Sequence, residues 1–177
     1  MGAAGTTGGA GTTGTAGVGG VGSPTYRINS AGEAAPPFAA DVNFTGGRPG
    51  EASNAAVDRS GVTNPAPEGV YQTGRVGSFS YTLPGYVAAS THTVRLHFCE
   101  RYFPPPGDAM GGVNRRLCNV TVNGVAVLTN YDIFAEAGAK MKAVVEQFSL
   151  SASASGAYLI QFTAVKDNCD LAGLEVQ

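Results

Sequence analysis

Thr93-Val-Arg-Leu-His-Phe-Cys99, running on into Glu100-Arg-Tyr-Phe-Pro104, is the stretch whose reading decides the architecture. Val94, Leu96 and Phe98 alternate with polar or small residues, and a period of two means a strand with one buried face. On that phase Cys99 points outward. The strand cannot run far past Glu100, because Pro104, Pro105 and Pro106 lack the amide hydrogen that a sheet ladder needs. Tyr102 and Phe103 are therefore carried into a proline-stiffened loop. If that loop is extended, both rings cannot point inward. Two adjacent rings there form an apolar surface with a hydroxyl at its edge, of the kind on which sugars and aromatic partners dock.

The same alternation recurs on both sides of this strand. Phe79, Tyr81 and Leu83 share one phase, and Cys118, Val120 and Val122 another. Asn123-Gly124 is a two-residue hairpin turn that favours positive φ at both positions, and residues 125–128 return from it. Val144, Phe148 and Leu150 form a further set, as do Tyr158, Ile160, Phe162 and Ala164, and finally Ala172, Leu174 and Val176. Short alternating strands punctuated by glycine and proline predict an all-β, jelly-roll-like β-sandwich of antiparallel strands. Residues 135–145 have helix-forming composition. Gly138 and the alternation after it predict instead a loop, with room for one helical turn, feeding a strand. Two longer segments, 45–69 and 101–115, read as irregular, and loops of that length are usually functional or disordered. Both are expected at one edge of the sandwich, with the loop after Val165 beside them.

The chain has 177 residues, enough for one domain around a single core. Charged residues make up 14% and the net charge is −2, so no basic face exists to neutralise nucleic-acid phosphates. No apolar run approaches the roughly 18 residues of a membrane-spanning helix. Two histidines and three cysteines, none in a Cys-x-x-Cys or His-x-x-His spacing, give no zinc signature, and no cofactor is expected. Cys99 and Cys118 lie on opposite phases, which disfavours a direct bridge between them. With Cys169 making the count odd, three free thiols are the expectation. Residues 1–24 hold ten glycines and neither charge nor aromatic ring, which predicts a flexible linker or tail, with the domain at 25–177. The segment has no basic start or apolar stretch, so it does not read as a signal peptide. A linker of this kind is expected to join the module to others in a larger multidomain chain.

Several short motifs occur in order from residue 27 to 176. They begin with Arg27-Ile-Asn-Ser30 and Asp41-Val-Asn-Phe44, then Val70-Tyr-Gln-Thr-Gly-Arg75, Phe79-Ser-Tyr-Thr-Leu-Pro84 and Val94-Arg-Leu-His-Phe-Cys-Glu100. Val120-Thr-Val-Asn-Gly124, Tyr131-Asp-Ile133 and Asp167-Asn168, leading to Leu174-Glu-Val176, complete the series. In this order they resemble the malectin family of β-sandwich carbohydrate-binding domains. The resemblance implies a pocket lined by Tyr71, Tyr102, Phe103 and Asp167, and favours an extracellular or secretory-lumen location. Rings would cover the apolar face of a pyranose while the carboxylate accepts from two neighbouring hydroxyls. A further tyrosine of the family's upstream loop has no counterpart, since no aromatic residue lies between Phe44 and Tyr71. Asn54 or Arg59 is expected on that wall instead, with Asn168 as another contact. Cys169-Asp170 also replaces the Pro-Lys pair of many relatives, so the di-glucosylated glycan of the animal protein is not carried over.

Each residue also has a plainer role to weigh. Tyr71 can be a core ring, and Asp167-Asn168 a turn former. Glu100 continues the inward phase of Phe98, and a buried carboxylate needs a partner, for which Arg75 and Arg101 are the candidates. Asn43-Phe-Thr45 and Asn119-Val-Thr121 fit the N-glycosylation pattern, the second inside a strand. Neither indicates secretion by itself. A glycosidase would need two carboxylates about 5–10 Å apart. Only Glu100 and Asp167 qualify, and no Gly-x-Ser-x-Gly or phosphate loop is present, so a non-catalytic module is expected. The leading reading is recognition of a neutral glycan. The alternative is a peptide- or protein-interaction module, because His97-Phe-Cys-Glu100 resembles malectin-like domains of plant receptor-like proteins. A bare architectural spacer is the third.

Overall fold

A computed structural model describes residues 23–105, 107 and 111–177, so the expected linker falls almost wholly outside the described residues. The elements in chain order are β1 (Tyr26–Asn29), β2 (Phe44–Pro49), α1 (Glu68–Tyr71), β3 (Arg75–Pro84) and β4 (Thr91–Cys99). They continue with β5 (Leu117–Val122), β6 (Val125–Tyr131), α2 (Ile133–Ala137), β7 (Ala143–Ser151), β8 (Ala157–Lys166), β9 (Cys169–Leu171) and β10 (Gly173–Val176). One antiparallel sheet runs β1-β10-β4-β7 and the other β2-β3-β8-β5-β6, with β9 added beside β3. The chain crosses between sheets at β1–β2, β3–β4, β4–β5, β6–β7, β7–β8 and β9–β10, as a sandwich requires.

The inward phases meet as the alternation dictates. Val94, Leu96, Phe98, Leu174 and Val176 from the first sheet pack on Phe79, Tyr81, Leu83, Val120, Tyr158, Ile160 and Phe162 from the second. Strand β4 differs from a one-faced strand in a way the alternation did not signal. From Arg95 onward its odd positions are buried too, beneath a second layer made by Phe38, Val57, Ala66, Val70 and Tyr71. Cys99 belongs to that layer and is buried, not outward-facing. A polar or small residue on a covered face is compatible with alternation, so the pattern alone underestimates burial here.

The segments expected to be irregular contain more order than their composition suggests. Strand β2 takes the start of the 45–69 segment, pairing with β3 as an edge. All six of its residues are exposed, so it carries no hydrophobic period. Gly47 has φ +63°, and a Cβ there would lie 2.9 Å from the Val76 carbonyl oxygen, which is why glycine sits at this bulge. Helix α2 starts two residues before the stretch expected to hold a helical turn. Asp132 caps it by accepting from the amides of Phe134 (3.0 Å) and Ala135 (3.1 Å), and left-handed Gly138 ends it.

The thiol expectation is corrected. Cys118 and Cys169 form a disulfide with a Cα separation of 5.1 Å, leaving Cys99 as the free cysteine. Residue Asp167 turns the chain with φ +53° after β8, and β9 then pairs with β3. That turn brings Cys169 onto the same buried face as Cys118. Among the described residues, no helix is long and apolar enough to cross a membrane.

Candidate functional site

Three chain segments converge beyond the end of β4, and one buried ion cluster holds them. Glu100 has no exposed surface. Its Oε1 accepts from the backbone amides of Tyr102 (2.8 Å) and Phe103 (3.1 Å), which fixes the turn that carries both rings. Its Oε2 accepts from Arg116 Nε at 3.0 Å. The partner is thus Arg116, and neither Arg75 nor Arg101. Arg75 instead donates to Asp41, through Nε at 3.0 Å, and lies 3.4 Å over the Phe44 ring. Arg101 pairs with Asp170.

Arg116 also reaches the third segment. It donates to the Asn168 carbonyl at 2.9 Å and stands 3.6 Å from Asp167 and 4.0 Å from Asp170. Burial opposes its charge, but Asp170, Glu100 and Asp167 outweigh that and raise its pKa. Asp170 shifts upward, because burial outweighs Arg101 and Arg116. One guanidinium therefore ties the loops at 100–103 and 167–170 to the start of β5.

An open cleft of about 280 Å³ lies over this cluster, lined by Arg48, Glu51, Arg101, Tyr102, Arg116, Asp167, Asn168 and Asp170 among others. The expected meeting of the 45–69, 101–115 and post-165 loops at one edge is what builds it. Tyr102 is 48% exposed, and its ring meets Phe103 edge-on at 5.1 Å. Phe103 is half-buried, 5.4 Å from the Arg116 guanidinium, and supports Tyr102 without lining the cleft. Asp167 presents a side chain 38% exposed, with Asn168 beside it.

Tyr71 is not in the cleft, which corrects the expected ring platform. Its side chain is wholly buried in the layer outside β4. Its hydroxyl accepts from the Ala66 amide (3.2 Å) and is 2.9 Å from His97 Nδ1. Since the Glu175 carboxylate can only accept, His97 Nε2 donates to it at 2.9 Å, and Nδ1 of the neutral ring then accepts from the Tyr71 hydroxyl. Burial pushes the Tyr71 pKa up to about 12. Only its backbone carbonyl touches the site cluster, accepting from Arg101 at 3.4 Å. Asn54 and Arg59 are also corrected. Asn54 is exposed away from the cleft, and Arg59 donates to the Ala66 carbonyl at 3.1 Å. The open wall is made by Arg48 and Glu51 instead.

Arg48, Glu51, Arg116 and Asp170 escaped the sequence reading. A signal for Arg116 does exist. It precedes Cys118, Val120 and Val122 on their inward phase, as Glu100 follows Val94, Leu96 and Phe98. Two opposite charges each one step beyond a buried phase are candidates to pair. Among the described residues, no group of three or more His, Cys, Asp or Glu side chains is placed to hold a metal ion.

Residues 25–174 match the malectin domain family. The chain belongs to that family. The fold agrees with the ANX2 ectodomain of Arabidopsis thaliana, at a TM-score of 0.74 and 19% identity over 85% of this chain and 48% of that one. A chain in the structure of plant peptide RALF23 in complex with FER and LLG2 gives 0.68 and 19%, over 85% and 47%. A Bacteroides uniformis β-glucuronidase gives 0.65 and 14%, over 87% of this chain and 18% of the enzyme. This malectin domain thus spans about half of the plant chains and a fifth of the enzyme. No curated protein matches it in sequence.

The buried His97 predicts a pH dependence of stability. Burial lowers its pKa from the ordinary 6.5, outweighing the Glu175 bond that raises it. The folded state therefore resists a proton that the unfolded chain takes up below about pH 6.5. Stability should fall as pH drops from there toward the folded pKa, by up to about 1.4 kcal/mol per pH unit. Glu175 adds a separate loss at lower pH. Burial alone would raise its pKa, but His97, Arg27 and Arg95 reverse that, so its contribution disappears as pH falls through the depressed value. Urea midpoints at pH 7.5, 6.5 and 5.5 test this. Equal midpoints would mean that His97 is charged in the fold.

Proposed function

We propose that the malectin domain is a non-catalytic recognition module that takes a short extended peptide segment of a protein partner in the Tyr102–Asp167 cleft. The observation that carries this reading is the burial of Tyr71. With that ring in the core, Tyr102 stands without an opposing ring, and a sugar cannot be held between two aromatic faces. What faces Tyr102 is charge of both signs, with Arg48 and Glu51 on one wall and Asp167 on the other. A peptide supplies ionic partners for both signs and one apolar side chain for the ring. The likeness to receptor-kinase ectodomains, and to a structure determined with a peptide, supports the same direction. The buried disulfide favours an oxidising compartment, outside the cell or in the secretory lumen.

A neutral glycan is the second reading, favoured by the ring of Tyr102 and the carboxylate of Asp167 sharing one open cleft. Salt separates the two, because charged contacts are screened and hydroxyl contacts are not. The full chain should be screened on peptide and glycan arrays and the best ligands titrated at low and high salt. The peptide reading expects salt-sensitive peptide binding. Asp167→Asn should weaken it about tenfold, from the roughly 1.5–3 kcal/mol of a bond to a charged group reduced by exposure, and Tyr102→Ala should weaken it about as much through lost apolar contact area. Salt-insensitive binding of neutral glycans alone would decide for the second reading. Unchanged affinity in both variants would place the ligand elsewhere.

A further inference from the structure

We propose that Asn43 is an N-glycosylation site and that Asn119, which carries the same motif, is not. The proposal rests on the compartment argued above, and the structure distinguishes two sequons that are equivalent in sequence. Asn43 is exposed at the turn entering β2, with φ +63°, a conformation that asparagine tolerates better than most residues. Its backbone carbonyl accepts from Thr82 at 2.9 Å, which fixes the turn, while its side chain bonds to no described residue. Thr45, which completes the motif, is exposed on the edge strand. Asn119 lies within β5, between β8 and β6, and is half-buried. Its Oδ1 accepts from the Asn130 amide at 2.7 Å, which holds the carboxamide against the sheet.

The chemistry is a transfer from a lipid-pyrophosphate-linked oligosaccharide by the host transferase. Asn43 Nδ2 bonds to the sugar C1 as the C1–O bond to pyrophosphate breaks. The lipid pyrophosphate leaves with that electron pair, and the Nδ2 proton passes to a base of the transferase. A glycan at Asn43 would stand over Val42 and Phe44, which are 46% and 42% exposed, and beside the unpaired edge of β2. Such an edge invites pairing with other chains unless it is blunted, and an attached sugar blunts it. Arg48 and Gly50 lie five and seven residues further on, about 17–23 Å at strand spacing. The glycan would therefore leave the cleft open.

The test is to secrete the full chain from a eukaryotic host behind a cleavable leader and map occupancy by mass spectrometry. Enzymatic release of the glycan in heavy-oxygen water marks the modified asparagine. Asn43 should carry one oligosaccharide and Asn119 none. Thr45→Ala keeps the left-handed asparagine and should abolish the modification, while Thr121→Ala should leave it unchanged. A bare Asn43 in the folded, secreted chain would overturn the proposal, and so would a glycan on Asn119. Because the leader forces the route, this outcome is independent of whether the cleft binds peptide.

Discussion

Replacing Arg116 with methionine should cost about 3–5 kcal/mol, more than any substitution on the rim of the cleft. Methionine fills much of the same space, so lost packing is a minor part. The larger part is Glu100, which has no exposed surface and would keep its charge without a counterion. Two backbone amides still bond to Glu100, but they carry no full charge to offset it. The same replacement frees the Asn168 carbonyl and the side of Asp167, so both loops of the cleft lose their common anchor. Pairing Arg116→Met with Glu100→Gln should recover a good part of the loss, because glutamine keeps an acceptor for the amides without a charge to bury. Urea unfolding followed by far-ultraviolet circular dichroism measures all three variants, since the chain has no tryptophan. A cost below about 1 kcal/mol for Arg116→Met would show that Glu100 is not held as a buried anion.

Strand phases were legible because a single inner face is enforced by burial, and a one-residue slip would turn every side chain over. Val94, Leu96 and Phe98 therefore mark the inner face of β4 in the sequence alone. The second layer over β4 left no such trace. Arg95, His97 and Cys99 sit beneath it, and two of these are polar, bonded to Glu175, Tyr71 and the carbonyls of Thr63 and Asn64, with Arg95 Nε left without a partner. A polar residue buried with its partners reads in sequence like an exposed one. Tyr71 was misplaced for the same reason, since a ring with a hydroxyl suits a binding surface as well as a core with one acceptor to reach. The cleft's position was legible from loop lengths, and Tyr102 and Asp167 from the family pattern. Its opposite wall was not, because Arg48 and Glu51 come from an exposed edge strand and its continuation, where charge has no periodic meaning.

Removing the disulfide by Cys118→Ala with Cys169→Ala should cost about 4 kcal/mol, on the loop-closure scale for a separation of 51 residues. Most of that acts on the unfolded chain, which gains freedom once the link between β5 and β9 is gone. Both sulfurs are buried in the core, so the void that alanine leaves adds to this cost. Cys169 adjoins Asn168, so the cleft is the obvious place to expect a functional loss. The cluster argues otherwise. Arg116 still holds the Asn168 carbonyl, and Arg101 still pairs with Asp170, so the Asp167 turn remains tied on both sides of the missing bond. Affinity for the cleft's ligand should therefore change by no more than a few fold at temperatures where the variant stays folded. Alkylation checks the covalent state first. The free Cys99 is buried and its pKa raised to about 12, so the native chain should take up no label. Denaturation without reductant should expose one thiol, and with reductant all three. Three labelled thiols without reductant would mean that the bond does not form, and a full loss of binding in the double variant would mean that it, not Arg116, positions Asp167.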